Sequence, residues 1–302
     1  MNRGLHRYIL FLAGATFLLL MAGALVTSHD AGLATSDWPR SNGQWFPRMV
    51  GNLFWEHGHR MVATTVGLLT IGLNAYLFKE SRSWVRRLGL IALVGVIAQG
   101  LLGGLTVKLM LPLWVSAAHA TLAQLFFCTV VSLAVFTSPG WSNRHETYEE
   151  RGGVPLRYLC LAAAATIFLQ LILGATLRHS APWDRQLPTQ LVLAHVGGAL
   201  AVALVLGAVT FNTLRRYPEV KYLTRPASLA LTLLGVQLVL GLSAYITRLM
   251  SPNDPQPLNP MIGITVAHVV CGALVFATTI VLTLRSFQLL RGQRSVAELA
   301  TA

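Results

Sequence analysis

The sequence predicts an all-α integral membrane protein of eight transmembrane helices, arranged as two pseudo-symmetric four-helix bundles with both termini cytoplasmic. Three observations predict it. Of the 302 residues, 54% are hydrophobic and only 11% are charged, where a soluble domain carries about 25% charged residues. The apolar residues fall into eight runs of about 20, each long enough to cross a bilayer as a helix. The basic residues then sort by side: sixteen of the 23 lie in the segments that eight spans would place inside, which is the positive-inside bias.

The first run, 8–27, follows a basic stretch with Arg3 and Arg7. It exceeds the 7–15 residues of a signal-peptide core, so it reads as a retained helix. It ends in Gly23-Ala24-Leu25-Val26-Thr27 and enters an outer loop with Asp37-Trp38-Pro39. The second run, 56–78, opens with Glu56-His57-Gly58-His59-Arg60, and Glu56 is the one acidic residue placed inside a span. The third, 88–107, contains Gln99-Gly100-Leu101-Leu102-Gly103, and the fourth, 115–137, carries His119 between small residues. A polar linker, 141–155, with Glu146, Glu149, Glu150 and Arg151 reads as cytoplasmic.

The same plan then repeats. The fifth run, 156–177, ends in Gly174-Ala175-Thr176-Leu177, and its outer loop holds Trp183-Asp184. The sixth, 190–214, carries His195; the seventh, 227–247, contains Gln237-Leu238-Val239-Leu240-Gly241; the eighth, 261–284, carries His268. Residues 1–140 and 156–302 are therefore two halves of four helices each, the second with a cytoplasmic tail. An even number of helices per half keeps the units parallel, with the symmetry axis along the membrane normal.

The net charge of +12 follows from topology and contact with anionic lipid, not from a nucleic-acid partner. Cys128, Cys160 and Cys271 all lie within spans, where isolated cysteines are inert packing residues. No disulfide framework or zinc spacing is present. The lack of an Arg- and Ser-rich transit peptide favours a prokaryotic plasma membrane.

His59, His119, His195 and His268 carry the chemistry. Each lies a few residues into a span near its outer end, at matching points of the two halves. An intramembrane histidine is often only a helix–helix hydrogen-bonding residue, but four at repeated positions point to two metal cofactors, each held by a pair. Neutral imidazole is a haem-iron ligand. Zinc fits less well without a third and fourth ligand. The spacing pairs His59 with His119 and His195 with His268.

Glu56 and Arg60 separate the pairs by role. Glu56 stands three residues before His59, on nearly the same helix face, placed to take up protons or stabilise positive charge; its structural reading is favourable pairing with the helix dipole. Arg60 is placed to pair with a haem propionate or with Glu56. The second half has Val192 and Leu191 in the matching positions. Substrate is therefore expected in the first half and a fixed electron-transfer haem in the second. His57 points away from His59 and reads as a boundary residue; His29 and His179 read as loop histidines. Arg178 and Arg248 border the second half's outer face, with Arg178 as a candidate propionate partner.

These residues resemble the haem A synthase family over nearly the whole chain. The most specific element is the Glu-x-x-His-Arg pattern at Glu56, His59 and Arg60, followed by the single histidines His119, His195 and His268. The loop string from Gly32 to Gly43 is also similar to the family's first loop. The resemblance implies oxidation of the C8 methyl of haem O to a formyl group by successive hydroxylations, giving haem A for terminal oxidases. It implies haem O and haem A in the N-terminal half and a resident haem b in the C-terminal half. Haem O would come from a membrane haem O synthase through the lipid; an electron partner is required but not named by the sequence, and homo-oligomers are compatible with it. Two departures stand out. Thr35 and Ser41 occupy the loop where many members carry a cysteine pair, and Val196 follows His195 where the family often has Arg.

Two other classes compete. A dihaem b-type cytochrome that only passes electrons would not need Glu56. A proton-relaying transporter should show broken helices at matching mid-membrane positions, and no paired proline interruptions occur.

Overall fold

The computed structural model describes residues 3–142, 146–180, 186–250 and 258–291. Its elements in order are α1 (Arg3–Ser28), α2 (Asn52–Leu77), α3 (Ser83–Lys108), α4 (Leu113–Phe136), the single turn α5 (Pro139–Ser142), β1 (Tyr148–Glu149), α6 (Leu156–Ser180), α7 (Thr189–Arg216), α8 (Lys221–Met250), α9 (Asn259–Leu289) and β2 (Leu290–Arg291). Seven of the eight long helices are apolar enough to cross a membrane. The exception, α2, carries Glu56, His57, His59 and Arg60. This is an all-α membrane protein.

Several helices outrun the apolar spans. α1 begins at Arg3 instead of 8, α8 at Lys221 instead of 227, and α9 continues to Leu289 instead of 284. An apolar run marks only the part of a helix that meets hydrocarbon, whereas the hydrogen-bond ladder continues through polar residues beyond it. In α8 the extra turn even includes Pro226, whose missing N–H costs one bond close to the helix start. The change matters most in α2. The helix starts at Asn52, so Glu56 sits a turn inside it and is not the N-terminal dipole partner that the apolar run implied.

Within the first half α1 packs on α2, α2 on α3, α3 on α4, and α4 back on α1; α6, α7, α8 and α9 close the same ring. The rings meet where α1 and α4 lie against α6 and α9. Lipid supplies no hydrophobic drive between helices, so close packing of small residues must hold this seam. Ala164, Ala273, Ala277 and Cys128 are buried there beside Phe127 and Phe276. Leu10, Phe11, Leu68, Ile91 and Leu204 stand exposed on the outside, as a bilayer solvent allows.

The end opposite the histidines is tied by polar groups. The segment expected as a plain polar linker folds onto the second half instead. β1 pairs in parallel with β2, and buried Glu150 accepts from Leu156 N at 3.0 Å and from the Tyr217 hydroxyl at 3.1 Å. Arg285 on α9 reaches back across the seam, donating to Gly140 O at 2.7 Å and lying over the rings of Trp141 and Tyr222. A carboxylate and a guanidinium buried with several partners each avoid the cost of an unpaired charge.

Candidate functional site

His59, His119, His195 and His268 lie six to nine residues into α2, α4, α7 and α9. At about 1.5 Å rise per residue that is roughly 9–14 Å from each helix start, all at the same end of the molecule. Each imidazole lies edge-on against a glycine of a neighbouring helix. A Cβ added at Gly23 would come within 3.1 Å of His59 Cε1, at Gly103 within 3.2 Å of His119, at Gly174 within 3.0 Å of His195, and at Gly241 within 2.8 Å of His268. Only the absence of a side chain at these four positions lets the rings sit this close to the neighbouring backbone.

In the second half the ring centroids of His195 and His268 are 6.3 Å apart, with planes at 74°. Two metal–imidazole bonds of about 2 Å and two ring radii of about 1.1 Å place the centroids of a trans pair about 6.2 Å apart. The separation of the rings is that of two imidazoles with one metal ion between them. His268 Nδ1 lies 3.2 Å from Gln237 O, the outer hydrogen bond that fixes a metal-binding imidazole. Gln170 Nε2 donates to His195 O at 2.8 Å and stands 3.0 Å from His195 Nδ1.

The first half brings His59 of α2 against Gly23 and His119 of α4 against Gly103. The Nδ1 atoms of both are buried and have no hydrogen-bond partner among the described residues. Buried polar atoms are normally satisfied, and a bound group would change that balance here. Among the described residues no cluster of three or more His, Cys, Asp or Glu side chains is placed to hold a metal. Two histidines suffice only for a metal that brings its other ligands, as a porphyrin does.

The loop between α1 and α2 is held by three side chains of α2, Glu56, His57 and Arg60, within about one turn of His59. Glu56 is buried; one carboxylate oxygen pairs with the Arg60 guanidinium and the other accepts from Thr35 N at 3.0 Å. Arg60 also donates to Asp37 O at 3.0 Å, Arg40 O at 2.7 Å and Ser41 Oγ at 3.1 Å. His57, expected as a boundary residue, is buried with Nδ1 at 2.8 Å from Ser41 Oγ and Nε2 at 3.1 Å from Trp45 O. Asn42 and Gly43, at φ 52° and 73°, form a tight turn whose flanking Ser41 and Gln44 exchange backbone bonds at 3.0 Å, the two-residue connection that Asn-Gly favours. Asp37 accepts from Asn42 N and Gly43 N at 2.8 Å each and from the Thr35 hydroxyl. The Thr35 hydroxyl and the two amides hold the Asp37 carboxyl well below the usual aspartate range. Thr35 and Ser41 thus knit the loop without a covalent tie. The Trp38 ring lies on Gly104 of α3, where an added Cβ would meet it at 2.8 Å.

The remaining expected residues are elsewhere. Arg178, in the last turn of α6, donates to Thr27 O at 2.8 Å, across the seam between halves. His179 belongs to α6 and is not in a loop. His29 follows α1 but stacks on Trp55 at 3.9 Å and bonds Leu25 O, so neither is a free loop histidine. Trp183, Asp184 and Arg185 fall outside the described residues, as do Arg144 and Arg294.

The contribution of Gln170 was not apparent from sequence reasoning. Gln99, Gln170 and Gln237 each stand four residues before a histidine-bearing glycine, at Gly103, Gly174 and Gly241. The repeated Gln-x-x-x-Gly spacing was the available signal, since i and i+4 share a helix face.

A family model for cytochrome oxidase assembly proteins matches residues 49–182. Among characterised sequences, the chain is 30% identical over 246 residues to the haem A synthase of Symbiobacterium thermophilum, covering 74% of this chain and 80% of that protein. It is 23% identical over 269 residues to that of Lysinibacillus sphaericus, covering 81% and 87% respectively. It is 25% identical over 267 residues to that of Shouchella clausii, covering 82% and 88%.

Proposed function

The chain belongs to the haem A synthase family, and on that premise we propose how its residues divide the work of oxidising the C8 methyl of haem O to the formyl group of haem A. The first half takes the substrate, with His59 and His119 on its iron. The second half holds a resident haem b between His195 and His268. The observation that carries this division is the buried Glu56–Arg60 pair, which stands beside His59 alone; the matching position before His195 is Val192.

Bound haem supplies an iron centre for oxidation in the first half and a one-electron carrier in the second. The protein's own groups do the rest. Glu56 accepts a proton from the substrate side, held in place by the Arg60 guanidinium on one oxygen and the Thr35 amide on the other. The loop pinned by Glu56, His57 and Arg60 covers the first site and excludes water, which strengthens these interactions. Arg178, at the seam, and Arg60 supply positive charge for propionates.

In this reading α2 is the eighth span. The sidedness of the basic residues supports cytoplasmic termini and a histidine end that faces outside. Haem O, which carries a farnesyl tail, arrives through the lipid from a membrane haem O synthase.

Co-expression with haem O synthase, followed by extraction and mass measurement of the haems, tests the assignment. Wild type yields haem A and haem b. Glu56→Gln retains haem b and loses about 10²-fold or more of product formation, the usual span for a lost acid–base group. His195→Ala and His268→Ala lose haem b. A His195→Ala protein with a full low-spin haem b spectrum, or a Glu56→Gln enzyme of wild-type rate, overturns it.

A further inference from the structure

The loop between α1 and α2 presents two adjacent aromatic side chains outward, Trp45 at 57% exposure and Phe46 at 84%. Their depth is fixed by the backbone. Trp45 O lies 3.1 Å from His57 Nε2, and His57 stands five residues after the start of α2 at Asn52. At ~1.5 Å per residue that is about 8 Å along the helix. The apolar run of α2 begins at residue 56, so the loop tip is level with the edge of the span and not above the helix ends. A second helix holds the loop at a similar depth. Lys108 of α3 donates to Ser36 O at 3.3 Å, Arg60 of α2 donates to Asp37 O at 3.0 Å, and the Trp38 ring lies on Gly104 of α3. Residues 36–38 therefore bridge the outer ends of α2 and α3.

At that depth the residue types are those of a membrane interface. Tryptophan gathers where hydrocarbon meets headgroups, because its ring is apolar and its N–H is not. Arginine lays its stem on apolar surface while its guanidinium reaches the polar layer. Arg40 lies over the Trp45 ring at 5.0 Å, and Arg48 follows Phe46 by two residues. The tip also continues a surface that already faces lipid. Phe54, Met61 and Leu68 are exposed on α2 at intervals of seven residues, two helical turns apart on one face. Trp114, exposed in the first turn of α4, stands at the same end.

We propose that the tip of this loop, Trp45 and Phe46 flanked by Arg40 and Arg48, seats in the outer leaflet of the bilayer, with its rings among the upper acyl carbons and its guanidiniums at lipid phosphates. The inference rests on the reading of α2 as a span whose histidine end faces outside. Three observations favour lipid over a protein partner: the depth of the tip, its continuity with the exposed face of α2, and the cations beside its rings. Apolar side chains of interfacial segments are buried about 5–10 Å into the boundary of headgroups and acyl chains, and exposed apolar patches of this kind mark a surface that is covered in use. The same loop is bonded to Glu56, His57 and Arg60, so its seat in lipid is tied to the helix that carries His59. A substrate that travels in the bilayer meets this loop while still in the lipid phase.

The experiment uses the full-length protein in nanodiscs of phosphatidylcholine and phosphatidylglycerol. A nitroxide is attached in separate proteins at Phe46→Cys, Trp45→Cys, Leu68→Cys and Lys79→Cys. The unsubstituted protein, whose cysteines are buried, sets the background. Electron paramagnetic resonance then compares relaxation by dissolved oxygen, which concentrates in hydrocarbon, with relaxation by a water-soluble nickel chelate. Leu68, exposed on α2, is the lipid reference, and Lys79, exposed just beyond its inner end, is the water reference. The labels at positions 46 and 45 should follow the Leu68 reference, with a ratio of oxygen to nickel relaxation severalfold above that at Lys79. Tip labels that follow Lys79 place the loop in water and overturn the proposal. Tip labels shielded from both reagents reveal a second copy or another protein over the patch, and overturn it as well. If the Leu68 label itself behaves as Lys79 does, α2 is not a span and the underlying reading fails too. If Leu68 reads lipid while the tip reads water, that reading stands and only the seat of the loop is lost.

Discussion

Arg60 joins one buried carboxylate to three acceptors of the outer loop, so the proposed proton acceptor and the loop are held by the same guanidinium. Removing one partner of such a pair strands the other charge, a larger loss than the bond itself. The loop's second anchor is Asp37, and here the pH dependence has a definite sign. Its carboxyl is held below the usual range first by the Thr35 hydroxyl and next by the Gly43 amide. A group whose folded value is depressed stabilises the fold above its ordinary value, near 3.9, and loses that contribution as pH falls through the folded value. Loop closure, followed by Trp38 emission against Gly104, should stay constant from pH 8 to about 4 and fade only in stronger acid. Asp37→Asn should show the open signal throughout; an acid transition near pH 6 would contradict the assignment. Glu56, His59 and Arg60 were legible from spacing alone. That Arg60 faces loop carbonyls was not, because a sequence shows which groups seek acceptors and not which acceptors the loop will present.

The helices read clearly where they are apolar and poorly where they are not. The apolar runs marked all eight, yet gave α8 the wrong start because six polar-flanked residues from Lys221 continue its ladder. The glycine contacts were harder still. Gly103 and Gly241 were visible as a repeat, but spacing along one helix does not say which neighbour it meets; that depends on the ring order. Alanine substitution separates the four contacts by distance. Alanine in a helix interior gains about 1 kcal/mol over glycine in propensity, and overpacking costs about 1–3 kcal/mol. At Gly103 the added Cβ would be 3.2 Å from His119, so a small shift leaves Gly103→Ala near neutral in stability. At Gly241 the distance is 2.8 Å, and Gly241→Ala should displace His268 and, with it, lose the haem b proposed for that site. Equal retention of both haems in the two variants, measured by pyridine haemochrome, would show that the contacts do not position the rings.

The whole molecule is two rings sharing one seam, with the chemistry at one end and the polar ties at the other. His119 and His268 lie on α4 and α9, the helices that touch across the seam; His59 and His195 lie on α2 and α7, which do not take part in it. On the proposed division of the sites, the short route for electrons between them is through α4 and α9, and α2 stands on the outside, toward a substrate that comes from lipid. The tie of β1 to β2, and of Glu150 to Tyr217 and Leu156, assigns most of the linker to the second ring. Residues 148–150 of the expected linker thus pack with the second ring. It follows that the molecule should work as two polypeptides. A break between residues 142 and 146 leaves every one of these ties within a single fragment, so the two pieces, made together in one cell, should co-purify and produce haem A. A break at Gly152 and Gly153 instead makes those ties contacts between the fragments, so the second fragment made alone, without β1 and Glu150, should be less stable than the one that begins before residue 146.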